Sequence, residues 1–300
     1  MSLPAETPES QRLLDNIGRR MLKRRVDALK SLPTFPESIL RITQVINEEG
    51  TQASFKRIAA VIETDPVLTA RILRLVNSAF YGVSGAIATV YDALVMLGLD
   101  IVRGLILSTT AMEIVEGRQG VRGLWEHCFG AAIAAVALGR TLGLPRLEEL
   151  SAAALMHDLG KVVLQSQLGR EYDAVVNHAV RQGMTIRAAE EALLGVPHDE
   201  IGHWLVSRWR LPPTLAEPIA LHHRPEDARA HREAAAAVHV ADLMVRAYGF
   251  GFPGDRVMPE MSAAAWKTLH LNPHKLQTAV ARMHEALQTA LVQANLYFDA

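Results

Sequence analysis

Apolar residues along this chain recur at three- and four-residue steps, and no stretch shows the period-two alternation of a half-buried strand. Gln11 to Lys30 carries Leu13, Leu14, Ile17, Met21, Leu22, Val26 and Leu29 on one face and a basic set from Arg19 to Arg25 on the other. That basic face reads as a solvated surface or as a phosphate or partner contact. The prolines of Leu32-Pro33-Thr34-Phe35-Pro36 end this helix. Ile39 to Ile46 is helical again, with Gly50 as its C-cap, and Ser54 caps a helix whose stripe is Ile58, Ala59, Val61 and Ile62. Asp65-Pro66 starts another helix. Ile87, Val90, Ala93, Leu94 and Leu97 continue to Gly98, and Ile101 to Met112 is a further apolar helix. Gly117 to Gly123 reads as a joint between subdomains.

Beyond the joint the helical pattern predicts one helix from Leu124 to about Leu142 with His127 at its start, and another from about Leu147. Further helices are expected at Tyr172 to Gln182, Thr185 to Leu194, His198 to Trp209, Pro212 to His222 and Arg232 to Tyr248. Gly249 to Asp255 is a loop whose aromatics pack it down. Pro273 to about Leu296 closes the chain as a packing or dimer-forming helix. The segments are therefore an N-terminal helix (1–31), a helical lobe (32–116), a second helical lobe (124–250) and a C-terminal loop and helix (251–300). The fold class is all-α.

Composition narrows the function. With 300 residues and 49% hydrophobic residues the chain can bury a large core. A net charge of -1 argues against a dedicated nucleic-acid binder. One cysteine, Cys128, excludes an internal disulfide and fits a reducing compartment. With no secretory leader pattern and no bilayer-length apolar run, a cytoplasmic location and no membrane contact are expected. All twelve histidines lie at or after position 127, so site chemistry is expected in the second half.

The central candidate is the apolar run Ala152 to Leu164, which sets His157 and Asp158 side by side, then Gly160 and Lys161. Burying that pair needs a cation or hydrogen-bond partners. A divalent metal would serve, since imidazole and carboxylate are usual ligands of zinc, iron or manganese. A core histidine partnered by Asp158 is the alternative. Gly160 permits close backbone approach, and Lys161 is expected to reach a phosphate oxygen. Around Trp204, Trp209 and His203, helical spacing favours ordinary packing.

Five predicted helices each carry a candidate ligand: His127; His157 with Asp158; His198; His222 with His223; and Asp242. This ordered series resembles the HD superfamily of metal-dependent phosphohydrolases, particularly its two-metal branch. Leu32 to Pro36, Asp65-Pro66-Val67-Leu68, Leu73 to Ala79, Tyr81-Gly82, Ala93 to Gly98, Gly195-Val196-Pro197-His198 and Trp209-Arg210-Leu211-Pro212 further resemble the HDOD family, the HD-related output domain. The resemblance runs from about Leu32 to Tyr248. It implies a two-lobed bacterial signal-transduction module binding a protein partner, with an HD-type site for two divalent ions (iron, manganese or zinc) and a nucleotide-like phosphate ligand. His127, His157, Asp158 and Asp242 would hold one ion; Asp158, His198, His222 and His223 would hold the second. In the alternative, an active phosphohydrolase or phosphodiesterase acting on a nucleotide or cyclic dinucleotide, Asp158 and Lys161 would be catalytic. A metal-free scaffold of hydrogen-bonded histidines is a third reading. Arg224 to Arg229 stands where cyclic-dinucleotide phosphodiesterases carry Gly-Tyr-Pro. Gly123 stands where some relatives have a carboxylate for a third metal.

Overall fold

A computed structural model describes residues 55–64, 69, 72, 73, 76, 87–99, 101, 102, 106, 121–208 and 211–298. The helices expected at Gln11 to Lys30, Ile39 to Ile46 and after Asp65-Pro66 lie wholly or mainly outside these residues, as do most of Ile101 to Met112 and Trp209. Among the described residues there are helices and turns and no strand.

Two described helices precede residue 121: α1 (Phe55–Glu63) and α2 (Val90–Leu97), which pack on each other. Ile58, Ala59 and Ile62 are buried on α1, as its stripe predicts. Thr89 caps α2, its hydroxyl accepting from Asp92 N at 3.1 Å.

The second half contains α3 (Val121–Leu142), α4 (Leu147–Met156), α5 (Leu159–Leu168), α6 (Arg170–Gln182), α7 (Ile186–Leu194), α8 (His198–Arg208), α9 (Pro213–Leu221), α10 (Arg232–Tyr248), α11 (Ala263–Thr268) and α12 (Pro273–Phe298). Helix α3 is the axis. Its Ala131 to Leu138 stretch is buried all round, because α4, α10 and α12 pack against it. Alanine there brings these helices close. The short α11 has no apolar periodicity to announce it; Ser262 caps it through Ala265 N.

Three expectations change. The run Ala152 to Leu164 is not continuous: α4 ends at Met156, α5 starts at Leu159, and His157-Asp158 form the turn between them. Neighbours within one helix point about 100° apart, whereas this turn brings His157 Nε2 within 3.3 Å of Asp158 Oδ2. Residues 121–123 of the expected joint are already helical. Gly123 is needed for packing: a Cβ there would lie 2.7 Å from that of Phe252. Finally, Trp204 is exposed on α8 rather than packed, and His203 is exposed beside it.

The entry to α10 rests on a carboxylate from α9. Glu217 accepts from the backbone N–H groups of Arg229 (2.5 Å), Ala230 (3.2 Å) and His231 (2.6 Å). Partial burial pushes its pKa up, but these three donors outweigh burial and lower it. A depressed carboxyl pKa stabilises above the unfolded value of 4.5 and is lost as pH falls through the folded value. Glu217→Ala is expected to cost about 0.5–1 kcal/mol at pH 7, the lower part of the range of a lost cap because solvent screens this carboxylate. The stability gap between wild type and variant in denaturant melts should shrink as pH falls through the folded value, which lies below 4.5; a gap independent of pH would reject the charged cap.

Candidate metal centre

Each predicted ligand arrives from a different packed element: His127 from α3, His157 and Asp158 from the α4–α5 turn, His198 from the start of α8, His222 and His223 from the end of α9, and Asp242 from α10. All but His223 are at most 1–2% exposed, and His223 is half-buried. The structure brings all seven together.

His127 Nε2 lies 3.0 Å from Asp242 Oδ1 and 3.7 Å from Asp158 Oδ2. His157 Nε2 lies 4.0 Å from Asp242 Oδ1. On the other side of Asp158, Oδ1 is 3.2 Å from His198 Nε2 and 4.0 Å from His222 Nε2. His223 Nε2 is 3.0 Å from His198 Nε2. Two groups therefore converge, His127 with His157 and Asp158, and His198 with His222 and His223. Asp158 faces both.

Local hydrogen bonds orient the rings. His157 Nδ1 donates to Ala154 O at 2.6 Å and His222 Nδ1 to Ile219 O at 2.8 Å, each three residues back in its own helix. Their Nε2 atoms then present lone pairs to the cluster. His239, one turn before Asp242, donates from Nδ1 to His222 O at 2.8 Å and accepts Ser262 N–H at Nε2 at 3.0 Å. It holds the backbone of His222.

Whether a cation fits is tested by what is left unpaired. His127 Nδ1 and Nε2, His157 Nε2, Asp158 Oδ1 and His222 Nε2 are buried without a hydrogen-bond partner. Buried polar atoms are ordinarily satisfied, and lone pairs aimed at a carboxylate repel unless a proton or cation lies between. A divalent ion satisfies several at once. The protonation states of three histidines and both carboxylates match, whereas His198 must release a proton to ligate, because, against burial, Glu190 and Asp158 raise its pKa to about 9. Burial, with neighbouring histidines, drives His222 down to about 3 and His223 well below its usual value. Burial also lowers His127 despite Asp242. Asp158 stays ionised because, against burial, His157 and Lys161 hold its pKa well down; Arg246 and His127 do the same for Asp242. Neutral imidazoles and charged carboxylates are the forms that ligate.

Lys161 does not extend outward. It is 2% exposed, its Nζ donating to Asp158 Oδ2 at 2.7 Å and to Pro253 O at 2.9 Å. Its charge acts first on Asp158.

The sequence reading missed five supporting residues. Arg246, one turn after Asp242, donates from Nε to Asp242 Oδ1 at 2.9 Å and from Nη1 to Asp255 at 3.1 Å. Asp255 accepts from Ile186 N and Val257 N, both at 2.8 Å, so the loop after α10 is anchored to α7. Glu190 and Tyr172 stand behind His198, and His239 behind His222. Glu190 could have been noticed as an acid on the apolar stripe of Ile186 and Ala189; Asp255 sits in a loop and carried no periodic signal.

A cavity of about 220 Å³ opens beside His223, bordered by Thr185, Arg187, His239, Arg246 and Pro259. Cys128 is buried, and burial first, then Asp158, raises its thiol pKa, so it is inert. No helix among the described residues is long and apolar enough to cross a membrane.

Comparison with known proteins bears on the fold and the family. An HDOD domain protein of unknown function from Geobacter sulfurreducens has the same fold, with a TM-score of 0.64 and 26% identity, covering 93% of this chain and 96% of that one. A structure from Shewanella amazonensis described as a candidate metal-dependent phosphohydrolase shares the fold at 17% identity and TM-score 0.62, covering 92% and 98%. An uncharacterised protein of Treponema pallidum is 26% identical over 223 residues, which is 73% of this chain but 43% of that longer protein. The HDOD domain model matches residues 32–225, which include every proposed ligand except Asp242, and the chain belongs to the HDOD domain family.

Proposed function

We propose that this chain is an HD-type output module of bacterial signal transduction, in the cytoplasm, whose second half holds two divalent ions and a small phosphate-containing ligand. The 32–116 segment would carry the surface for a signalling protein partner. The observation that supports the metal reading is the set of four buried atoms without a hydrogen-bond partner, His127 Nε2, His157 Nε2, Asp158 Oδ1 and His222 Nε2, which belong to four candidate ligands gathered in the core. One ion would sit among His127, His157, Asp158 and Asp242, the other among Asp158, His198, His222 and His223. Iron, manganese and zinc suit this nitrogen and oxygen donor set.

The second reading, a working phosphohydrolase, is favoured by one observation: the cavity adjoins His223 and so reaches the cluster. When bound, a pair of such ions supplies an activated water and charge neutralisation for phosphoryl transfer. Asp158 would hold both sites together, Lys161 would fix the carboxylate of Asp158 and lend charge to the phosphate site, and Arg246 would orient Asp242. About 220 Å³ is below the ~300–1,000 Å³ typical of drug-sized ligand pockets. A single phosphate ester suits it better than a cyclic dinucleotide.

The deciding experiment is elemental analysis of untagged protein, followed by binding and hydrolysis assays of phosphate monoesters on the loaded form. About two equivalents of iron, manganese or zinc are expected. No metal after purification and none after reconstitution would overturn the centre. Metal with no turnover supports the module; turnover supports the enzyme.

A further inference from the structure

His198 is held differently from the other proposed ligands. The rings of His157 and His222 lean on neutral carbonyls of their own helices, Ala154 O and Ile219 O. His198 leans on a carboxylate from another helix. Glu190 Oε2, on α7, accepts both the His198 backbone N–H at 2.8 Å and its ring Nδ1–H at 2.6 Å. The opposite oxygen, Oε1, accepts the Tyr172 hydroxyl of α6 at 2.5 Å. Glu190 and His198 are fully buried, and Tyr172 is 3% exposed. Nothing on this relay faces solvent, and no ligand atom is spent on it.

Two consequences follow from the geometry. The ring cannot rotate without breaking a charge-assisted bond in the core, so Nε2 stays aimed at Asp158 Oδ1 and at His223 Nε2, 3.2 and 3.0 Å away. A carboxylate behind Nδ1–H also increases the electron density at Nε2, which strengthens its bond to a cation. A neutral carbonyl does this less. No comparable carboxylate backs Nδ1 of His127, which has no partner at all.

We infer that Glu190, held by Tyr172, is a positioning residue for the His198 half of the centre, fixing its tautomer and raising the affinity of that half for a divalent ion. This rests on the metal reading above. Glu190 contributes no ligand atom; it acts through His198.

The test is metal affinity in Glu190→Gln. Glutamine keeps the size and one carbonyl oxygen to accept from His198; it removes the charge and puts an amide NH2, which donates to the Tyr172 hydroxyl, where Oε1 accepted from it. Zinc titration by calorimetry is expected to show one ion bound as in wild type and the other weakened about 10- to 100-fold. Far-UV circular dichroism should be unchanged. In a His198→Ala background the Glu190→Gln change should have no further effect on zinc, because the coupling runs through that ring. Equal affinities for both ions in wild type and Glu190→Gln would overturn the inference while leaving the centre intact. A wild type that takes up no zinc would overturn both. If Glu190→Gln does not fold, ¹⁵N-histidine spectra of zinc-loaded wild type still decide: the inference requires the His198 proton on Nδ1 and zinc on Nε2, and the reverse arrangement rejects it.

Discussion

Asp158→Ala is expected to reduce bound metal from about two equivalents to near none, a larger loss than removing any single histidine. The physical reason is position. Oδ2 lies 3.3 Å from His157 Nε2 and 3.7 Å from His127 Nε2, while Oδ1 lies 3.2 Å from His198 Nε2. Among the described residues no other carboxylate lies within 4.0 Å of histidine nitrogens of both convergent groups: Asp242 reaches only His127 and His157, and Glu190 only His198. Loss of the carboxylate also strands Lys161, whose buried ammonium would keep only Pro253 O. Leaving one partner of a buried pair alone costs about 3–5 kcal/mol, so the melting temperature should fall as well. Asp158→Asn separates the two effects: it keeps the volume, an oxygen for Lys161 and much of the stability, and should still lose metal. Elemental analysis and thermal melts of both variants check this. Retention of two equivalents in Asp158→Asn would mean that the carboxylate charge does not bridge.

Gly160→Ala should be strongly destabilising for so small a change. A Cβ there would overlap the carbonyl oxygen of His198, lie 2.7 Å from its carbonyl carbon and stand 3.0 Å from Gly202 N. These are backbone atoms of α8 and cannot rotate away. Helices α5 and α8 must separate, and His198 travels with α8. Overpacking typically costs 1–3 kcal/mol; a backbone clash in this core should reach about 3 kcal/mol or more, lowering the melting temperature by roughly 5–10 °C. Zinc affinity at the His198 half should fall with it. Gly202→Ala is the control one turn on: its Cβ would meet Ile219 Cγ2 at 3.5 Å and Gly160 N at 4.0 Å, both ordinary contacts. Alanine within a helix is otherwise favourable, so that variant should melt at or slightly above wild type. Similar melting temperatures for the two variants would show that α5 and α8 are not locked at this crossing.

The sequence by itself determined the helical class and most boundaries of the second half, because three- and four-residue apolar steps and Pro or Thr starts are local signals. Arg232–Tyr248 was legible to the residue, and Ile186–Leu194 to within one. It also brought out the seven residues that converge: His157-Asp158 because such a pair is costly to bury in an apolar run, and the rest through their order along five predicted helices and the resemblance of that series to the HD superfamily. The lobe boundary was less legible: Gly123 reads as a joint by composition, yet it is a helical contact whose cause, Phe252, lies 129 residues away in the chain. Tertiary structure alone decided what surrounds the ligands. The break between α4 and α5 turns His157 and Asp158 to one side; the loop after α10 brings Pro253 to Lys161 and Asp255 to Arg246; and Glu190 takes its place behind His198. Each of these depends on which helix packs against which, and an isolated Glu, Arg or loop Asp has no periodicity to announce that it will be buried. A ligand is marked in the sequence by its own chemistry, whereas the residue that orients it is marked only by its distance in space.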